Sequence, residues 1–332
     1  MKCNYRTQRL TLAQPFGISR EVSSEKWNTF VFMDEGIGEA APSAYYGESF
    51  QSVEAALPTL FRAVEKHPDD LDLALDCLEK CLPENTAAKA AVDMALYDRL
   101  GKRLGRPLYS MWNLSSEKTP LTSFTIGLDS EEKMLDKVRG AEVHPIVKIK
   151  MGTPNDIGIL RQIRSITSKP IRVDANGGWN LEEAMRNLDA MVDLNIELVE
   201  QPLPAEQASA MKQLHRHSKI PLIADESCRT CKDIPALVGR FDGINIKLMK
   251  CGGLREALRM ITAARKHDLS VMIGCMIESS VADTASAHLT PLADYADLDG
   301  HLLINNDPYV GMTVRNGKII LPDEPGIGVR EK

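Results

Sequence analysis

The chain has 332 residues and a formal net charge of −6, with 43 % hydrophobic and 26 % charged residues, the composition of an ordinary globular protein long enough for one large core or two domains. No Lys/Arg block dominates a segment, which argues against nucleic-acid or anionic-membrane partners, and no apolar run approaches the roughly 20 residues that span a bilayer. The opening MKCNYRTQRLTLAQPF is too polar for a signal peptide, and seven irregularly spaced cysteines do not form a disulfide framework, so a cytoplasmic setting is expected.

In chain order, Asn28 to Pro42 (NTFVFMDEGIGEAAP) reads as a β-rich run ending in glycine-rich turns. Thr86 to Gly105 (TAAKAAVDMALYDRLGKRLG) reads as a strong helix, broken by GRPLYSMWN. From about Thr122, short apolar runs (SFTIG, IVKIKMG, IRVDANGG, ELVEQP, PLIADES, GINIKLMK, SVMIGCM) alternate with amphipathic segments. That alternation indicates a parallel sheet, either a barrel or a doubly wound sheet. One helix is expected to start with Thr153 as N-cap and Pro154 in its first turn, another with an Asn180/Glu183 capping box. Near the end, Asn316-Gly317 between two β-type runs marks a hairpin, and the chain is expected to return there to the first domain.

Charged residues recur near the ends of the alternating strands. Lys150 to Asp174 is 24 residues, Asp174 to Glu200 is 26, Glu200 to Asp225 is 25 and Asp225 to Lys247 is 22; Asp297 follows 50 residues later, two units on. A barrel turns such spacing into a ring at the C-terminal ends of its strands, where active sites of this architecture lie. Lys148 and Lys150, two apart on one strand, would share a face and meet Asp174, Glu200, Asp225 and Lys247 there. Each charge taken singly could equally be a solvated strand end or half of a buried ion pair.

Three converging carboxylates need a cation, and all-oxygen ligands without His or Cys favour Mg²⁺ over zinc. Lysines beside a dication lose protons more readily, which makes one a candidate base. Together these groups suggest 1,1-proton transfer: a substrate carboxylate on Mg²⁺, one lysine removing the α-proton and another returning it on the opposite face. Cys228-x-x-Cys231 looks like half a zinc or redox site but lacks a second pair or a nearby histidine.

The motifs KIKMG, VDANGGW, VEQP, ADES and INIKLMKCGG, with GIGEAAP and AAKAAVDMALYDRLGKRLGRPLYSMW before them, resemble the muconate-lactonizing subgroup of the enolase superfamily over nearly the whole chain. That superfamily's pairing of a Lys base with Mg²⁺ is itself a standard example. The resemblance implies a modified TIM barrel, (β/α)7β, over residues 119–303, an α+β capping domain over 1–118, and a segment 304–332 that returns to the cap. It implies one Mg²⁺ on Asp174, Glu200 and Asp225, with Lys150 and Lys247 as acid/base residues. Lys148 would help hold the substrate carboxylate and lower the basicity of Lys150. Asn176 and Glu226 would orient the ligands and Lys247, and Lys250 reads as a surface lysine or one behind the ligands.

Within the subgroup the chain is most similar to the dipeptide epimerases, L-Ala-D/L-Glu epimerases among them. YADLDGH carries Asp297 and Asp299 two apart on one face of a last strand, where the family binds the free α-ammonium of a dipeptide. By the same resemblance GCMIESS places Met276 and Ile277, and FTIG places Thr125, along the dipeptide. A Glu side chain would need a cation, for which Arg20 and then Lys26 are candidates, with PSAYYGES (Tyr45, Tyr46) as a cap. The partner implied is a small dipeptide, with no nucleic acid or membrane, and homo-oligomers are common in the family. Competing readings are o-succinylbenzoate synthase, muconate cycloisomerase or N-acylamino acid racemase, which have no ammonium to bind, an epimerase for less acidic dipeptides, a Schiff-base aldolase, and a non-catalytic barrel.

Overall fold

In the computed structural model, which describes residues 1–332, the chain opens with an antiparallel sheet of β1 (Cys3–Gly17), β2 (Val22–Met33) and β3 (Gly36–Ala40). Four helices follow: α1 (Phe50–Val64), α2 (Leu71–Cys81), α3 (Thr86–Leu104) and the single turn α4 (Leu108–Met111). The stretch expected to end in glycine-rich turns is instead strand β3. The turn comes earlier, at Asp34, where φ is 50°. A Cβ at Gly36 or Gly38 would lie 2.2 Å from Ala95 O or 2.0 Å from Ala91 O, so these glycines serve the close approach of β3 to α3. The alanines of α3 supply the other half of that contact, and the helix stops at Gly105 in the left-handed conformation (φ 65°).

The rest of the chain winds an eight-stranded parallel sheet in sequential order: β4 (Phe124–Ile126), β5 (Val147–Lys150), β6 (Ile171–Asp174), β7 (Ile196–Glu200), β8 (Leu222–Ala224), β9 (Gly243–Ile246), β10 (Ser270–Gly274) and β11 (Tyr295–Asp297). A parallel bridge between Thr122 and Ala296 joins the first and last strands and nearly closes a barrel. Helices α5 (Glu131–Gly140), α6 (Asp156–Ile166), α7 (Leu181–Val192), α8 (Ala208–His217), α9 (Ile234–Leu237), α10 (Leu248–Cys251), α11 (Leu254–Lys266) and α12 (Ser280–Ala287) lie in the connections. Period two divides each strand. Ile149, Val173, Val199, Ala224, Ile246 and Ile273 belong to the main core. Leu198, Ile223 and Met272, of the opposite parity, form a small separate apolar cluster. The charged strand ends share the parity of that cluster and stand above it.

One local expectation needs correction. Helix α6 starts at Asp156, not at Thr153, because the Asp156 carboxylate accepts N–H groups of Gly152 (2.9 Å) and Thr153 (2.8 Å) and the Trp179 indole N–H (2.6 Å). These bonds hold residues 152–155 in the preceding turn. The Asn180/Glu183 capping box is present on α7. The chain returns to the N-terminal unit, with Ile327 N–H bonded to the Asp98 carboxylate (2.7 Å), and the Asn316-Gly317 hairpin, β13 (Thr313–Arg315) with β14 (Lys318–Ile320), forms. The hairpin sits at the entry to β4, where Gly317 O accepts Thr122 N–H (2.9 Å) and Gly317 packs on Pro145. The flanking pair β12 (Tyr309–Val310) and β15 (Arg330–Glu331) makes the return, with the Tyr309 ring 5.2 Å from that of Phe30.

Buried carboxylates of the N-terminal unit cap barrel helices. Glu39 on β3 accepts from Ser279 N–H (2.9 Å), Ser279 Oγ (2.6 Å) and Ala282 N–H (3.1 Å) at the start of α12. Asp93 on α3 accepts Leu254 N–H (2.6 Å) at the start of α11. Each satisfies orphan donors of a helix end and complements its dipole. Glu39→Gln puts an amide N–H₂ against those donors. It is expected to lower unfolding free energy by about 1–3 kcal/mol, read by urea denaturation; an unchanged midpoint would refute the capping role.

Candidate active site

Polar side chains gather at the C-terminal ends of the barrel strands in register. Lys150 pairs laterally with Asp174, and Asp174 with Glu200. Counted around the sheet, Lys150 ends the second strand and Lys247 follows the sixth. Asp174, Glu200 and Asp225 occupy the third, fourth and fifth, and Asp297 the eighth. In a ring of eight, positions two and six face each other, as do four and eight. One diameter of the mouth therefore runs between the lysines, and the other between Glu200 and Asp297.

The three carboxylates are buried, and one oxygen of each lies within 4.8 Å of the others. Glu200 Oε2 is buried without a hydrogen-bond partner, although Lys148 Nζ approaches it to 2.6 Å as an ion pair. An all-oxygen donor set of three converging carboxylates fits a hard dication such as Mg²⁺. The backbone is strained beside the cluster: Asn176 and Gln201, just beyond the strands that end in Asp174 and Glu200, have φ of 46° and 38°. The Gln201 amide oxygen accepts N–H groups of Asp225 and Ser227, both at 3.0 Å, and so fixes the loop after β8.

Lys148 Nζ lies 3.0 Å from Asp174 Oδ2 and 2.7 Å from Asp297 Oδ2, and Lys150 Nζ lies 2.6 Å from Asp174 Oδ2. Lys247 and Lys250 take the two oxygens of Asp225, at 2.8 and 2.6 Å. Four ammonium groups (Lys148, Lys150, Lys247, Lys250) thus face four carboxylates (Asp174, Glu200, Asp225, Asp297). Burial opposes ionisation throughout. Even so, Lys148 and Lys150 hold Asp174 well below the usual carboxylate range, and Lys247 and Lys250 do so for Asp225. Glu200 goes the other way: burial and the neighbouring Asp174 push it up to about 7. Burial is also outweighed at Lys148 by Asp174 and at Lys247 by Asp225, which keep both lysines above their ordinary range.

Several expected contacts differ in detail. Asp297 closes β11, but Asp299 lies beyond the strand, at the start of a 3-10 turn, and its Oδ2 accepts Thr125 N–H (2.6 Å). Burial and Asp297 push Asp299 up to about 7. Asn176 N–H donates to Asp174 Oδ1 (2.9 Å) while its side-chain oxygen accepts from Lys150 (3.2 Å), and Glu226 accepts from Arg20 (2.7 Å). Arg20 also donates to Asn176 O (2.9 Å) and stacks 4.1 Å over the Tyr45 ring. Lys26 pairs with Glu21 at 3.0 Å on the rim. Met276 N–H is taken by Glu278 (2.9 Å) and Ile277 O by Asn28 (3.1 Å). The cleft is nevertheless lined by Arg20, Lys26, Tyr45, Tyr46, Met276 and Ile277 together with the barrel charges.

Asn245 escapes the sequence reading. Its side chain donates to Glu200 Oε1 (2.7 Å), and a Cβ at Gly274 would fall 2.5 Å from its Oδ1. The available signal was a polar residue two before Lys247 in an otherwise apolar strand, hence on the same face. Lys250 is not a surface lysine: its side chain has 0 % exposure. Cys228 and Cys231 are free thiols pushed by burial to about 12 and about 11, so neither is a ready thiolate. No helix is long and apolar enough to cross a membrane.

The enolase C-terminal domain-like family model matches residues 132–331, and the mandelate racemase/muconate lactonizing enzyme N-terminal domain model matches residues 3–112. The L-Ala-D/L-Glu epimerase of Bacteroides thetaiotaomicron is 45 % identical over 296 residues, covering 89 % of this chain and 77 % of the relative. The L-Ala-D/L-amino acid epimerase of Flavobacterium johnsoniae is 36 % identical over 334 residues, 99 % of each. The dipeptide epimerase of Cytophaga hutchinsonii, solved with Mg and the dipeptide D-Ala-L-Val, superposes with a TM-score of 0.93 at 27 % identity, covering 99 % of this chain and 95 % of that one.

Calorimetric titration with Mg²⁺ is expected to give one ion per chain, and Glu200→Gln to abolish the heat while the fold is kept. Undiminished binding in that variant would remove Glu200 from the site.

Proposed function

The chain belongs to the mandelate racemase/muconate lactonizing enzyme family of the enolase superfamily, an isomerase of the racemase and epimerase kind, and on that premise we propose that it epimerises dipeptides. The reaction is a Mg²⁺-dependent 1,1-proton transfer at the α-carbon of the C-terminal residue, with L-Ala-D/L-Glu as the favoured substrate. The observation that carries this reading is the crossing of the two diameters. A dipeptide has an anionic end and a cationic end, with the α-carbon of its C-terminal residue between them. Its carboxylate goes to the Asp174–Glu200–Asp225 side and its ammonium to Asp297 and Asp299 on the far side. That span leaves the α-carbon between Lys150 and Lys247, which approach it from opposite faces.

Asp174, Glu200 and Asp225 would hold the ion, whose bound charge makes the substrate carboxylate a better sink for the electrons released at the α-carbon. Lys148, within 3.0 Å of Asp174 and of Glu200, adds a second positive charge beside that carboxylate. The ion's charge beside the lysines would favour a free amine on one of them; that amine, Lys150 Nζ or Lys247 Nζ, would take the α-proton on one face, and the other lysine, still an ammonium, would deliver a proton to the opposite face. Inverted configuration follows because donor and acceptor lie at the two ends of one diameter. Tyr45 and Tyr46, beside Arg20 over the mouth, exclude water from the reacting carbon. The Asp297/Asp299 pair weighs against an N-acylated substrate, which has no ammonium to offer.

A second reading, an epimerase for less acidic dipeptides, is favoured by the engagement of Arg20. Its guanidinium is already bonded to Glu226 and Asn176 O, while Lys26 is held only by a partly exposed pair with Glu21. A glutamyl side chain would have to draw one of these cations from its present partner.

A dipeptide library incubated in D₂O with Mg²⁺ and followed by mass spectrometry should gain one deuterium at the C-terminal residue's α-carbon, with N-succinyl amino acids inert. Lys150→Ala and Lys247→Ala should each lower turnover by about 10²–10⁴-fold; near-normal turnover in either would end the two-lysine mechanism. For Arg20→Ala we expect kcat/KM to fall for Ala-Glu and to hold for Ala-Ala. Equal losses on both substrates would favour the less acidic reading.

A further inference from the structure

We infer that Lys250 is a positioning residue that clamps Asp225 in one orientation, occupying Oδ1 so that Oδ2 is the oxygen left for Lys247 and for the cation Asp225 would hold. The inference rests on the reading of Asp174, Glu200 and Asp225 as a divalent-cation site. Strand β9 ends at Ile246, and the chain turns at once into α10, with Lys247 at its N-cap and Lys250 three residues on. That spacing puts two side chains on one face of a helical turn. Both reach the same carboxylate from its two sides: Lys247 Nζ lies 2.8 Å from Oδ2 and Lys250 Nζ 2.6 Å from Oδ1.

Lys250 does more than balance charge. Its ammonium also donates to Asp225 O (2.7 Å) and Asn245 O (2.8 Å), so its three N–H groups have three acceptors. An ammonium with no solvent exposure would be costly unless fully bonded, and this one is. The two carbonyls belong to the end of β8 and to β9, so one side chain fixes the main chain as well as the carboxylate at Asp225. The support extends to a second ligand, because Asn245, whose carbonyl Lys250 holds, donates its side-chain amide to Glu200 Oε1 at 2.7 Å. The turn itself is anchored. It ends at Gly252 (φ 93°), and Gly253 beyond it packs on Asp93 of α3.

The proposal predicts a defect in metal affinity that a merely structural lysine would not produce. Mn²⁺, a paramagnetic ion suited to the same oxygen ligands, is titrated into wild type, Lys250→Met and Lys250→Gln by electron paramagnetic resonance. Thermal unfolding in EDTA reports the fold. Both variants are expected to stay folded in EDTA and to bind Mn²⁺ about 10–100-fold more weakly. At saturating Mn²⁺ kcat should fall while KM for the dipeptide holds. A folded variant with unchanged Mn²⁺ affinity overturns the clamp and leaves the metal centre standing. Failure of both variants to fold makes the lysine structural and also overturns it. Wild type that binds no Mn²⁺ overturns the metal centre itself, and the clamp with it.

Discussion

Charge compensation under burial governs this barrel mouth. Asp174, Glu200, Asp225 and Asp297 are buried there with Lys148, Lys150, Lys247 and Lys250, and an unpaired charge at such depth costs several kcal/mol. Each group is therefore held by partners of opposite charge from other strands or turns of the barrel, and the register of the sheet brings Lys150, Asp174 and Glu200 level. The same constraint yields reactivity. Glu200, buried and crowded by Asp174, is pushed up to about 7. That is the arrangement a divalent cation relieves.

The architecture arranges these charges into a shape that fits a zwitterion. Strands four and eight carry the poles that would grip the two ends of a dipeptide, and strands two and six carry the lysines. The N-terminal unit contributes in two ways. It supplies the cover, through Arg20, Tyr45 and Tyr46, and it sets the floor of the loop after β10. There Asn28 donates to Ile277 O (3.1 Å) and to Glu39 Oε1 (2.8 Å), while Glu39 caps α12. The loop that lines the cleft is thus tied to the cap by buried polar bonds, which hold only while the two units are packed together.

Errors in reading the sequence are as informative as its successes. Glycines at 36 and 38 look like turn residues, yet they are needed because α3 lies against β3 with no room for a Cβ. Thr153 looks like an N-cap, yet Asp156 outcompetes it by bonding the loop N–H groups and the Trp179 indole. Asp299 looks like a strand residue, yet the strand ends at Asp297 and the turn carries Asp299 to Thr125 N–H. In each case a partner distant in sequence decided the matter.

By itself the sequence determined the alternation of strand and helix, the period-two parity of the charged residues, and their recurrence once per unit near strand ends. All three follow from local chain geometry, which is written residue by residue. It also carried the motifs that mark the family. Only the tertiary structure decided which groups touch. Asp225 is gripped by Lys247 and Lys250 at once, Glu200 is held by Asn245, Arg20 is spent on Glu226, and Gly317 of the Asn-Gly hairpin meets Thr122 at the start of the barrel. Those pairings depend on the closure of the sheet and on the seating of one unit against the other, long-range packing that no single segment encodes.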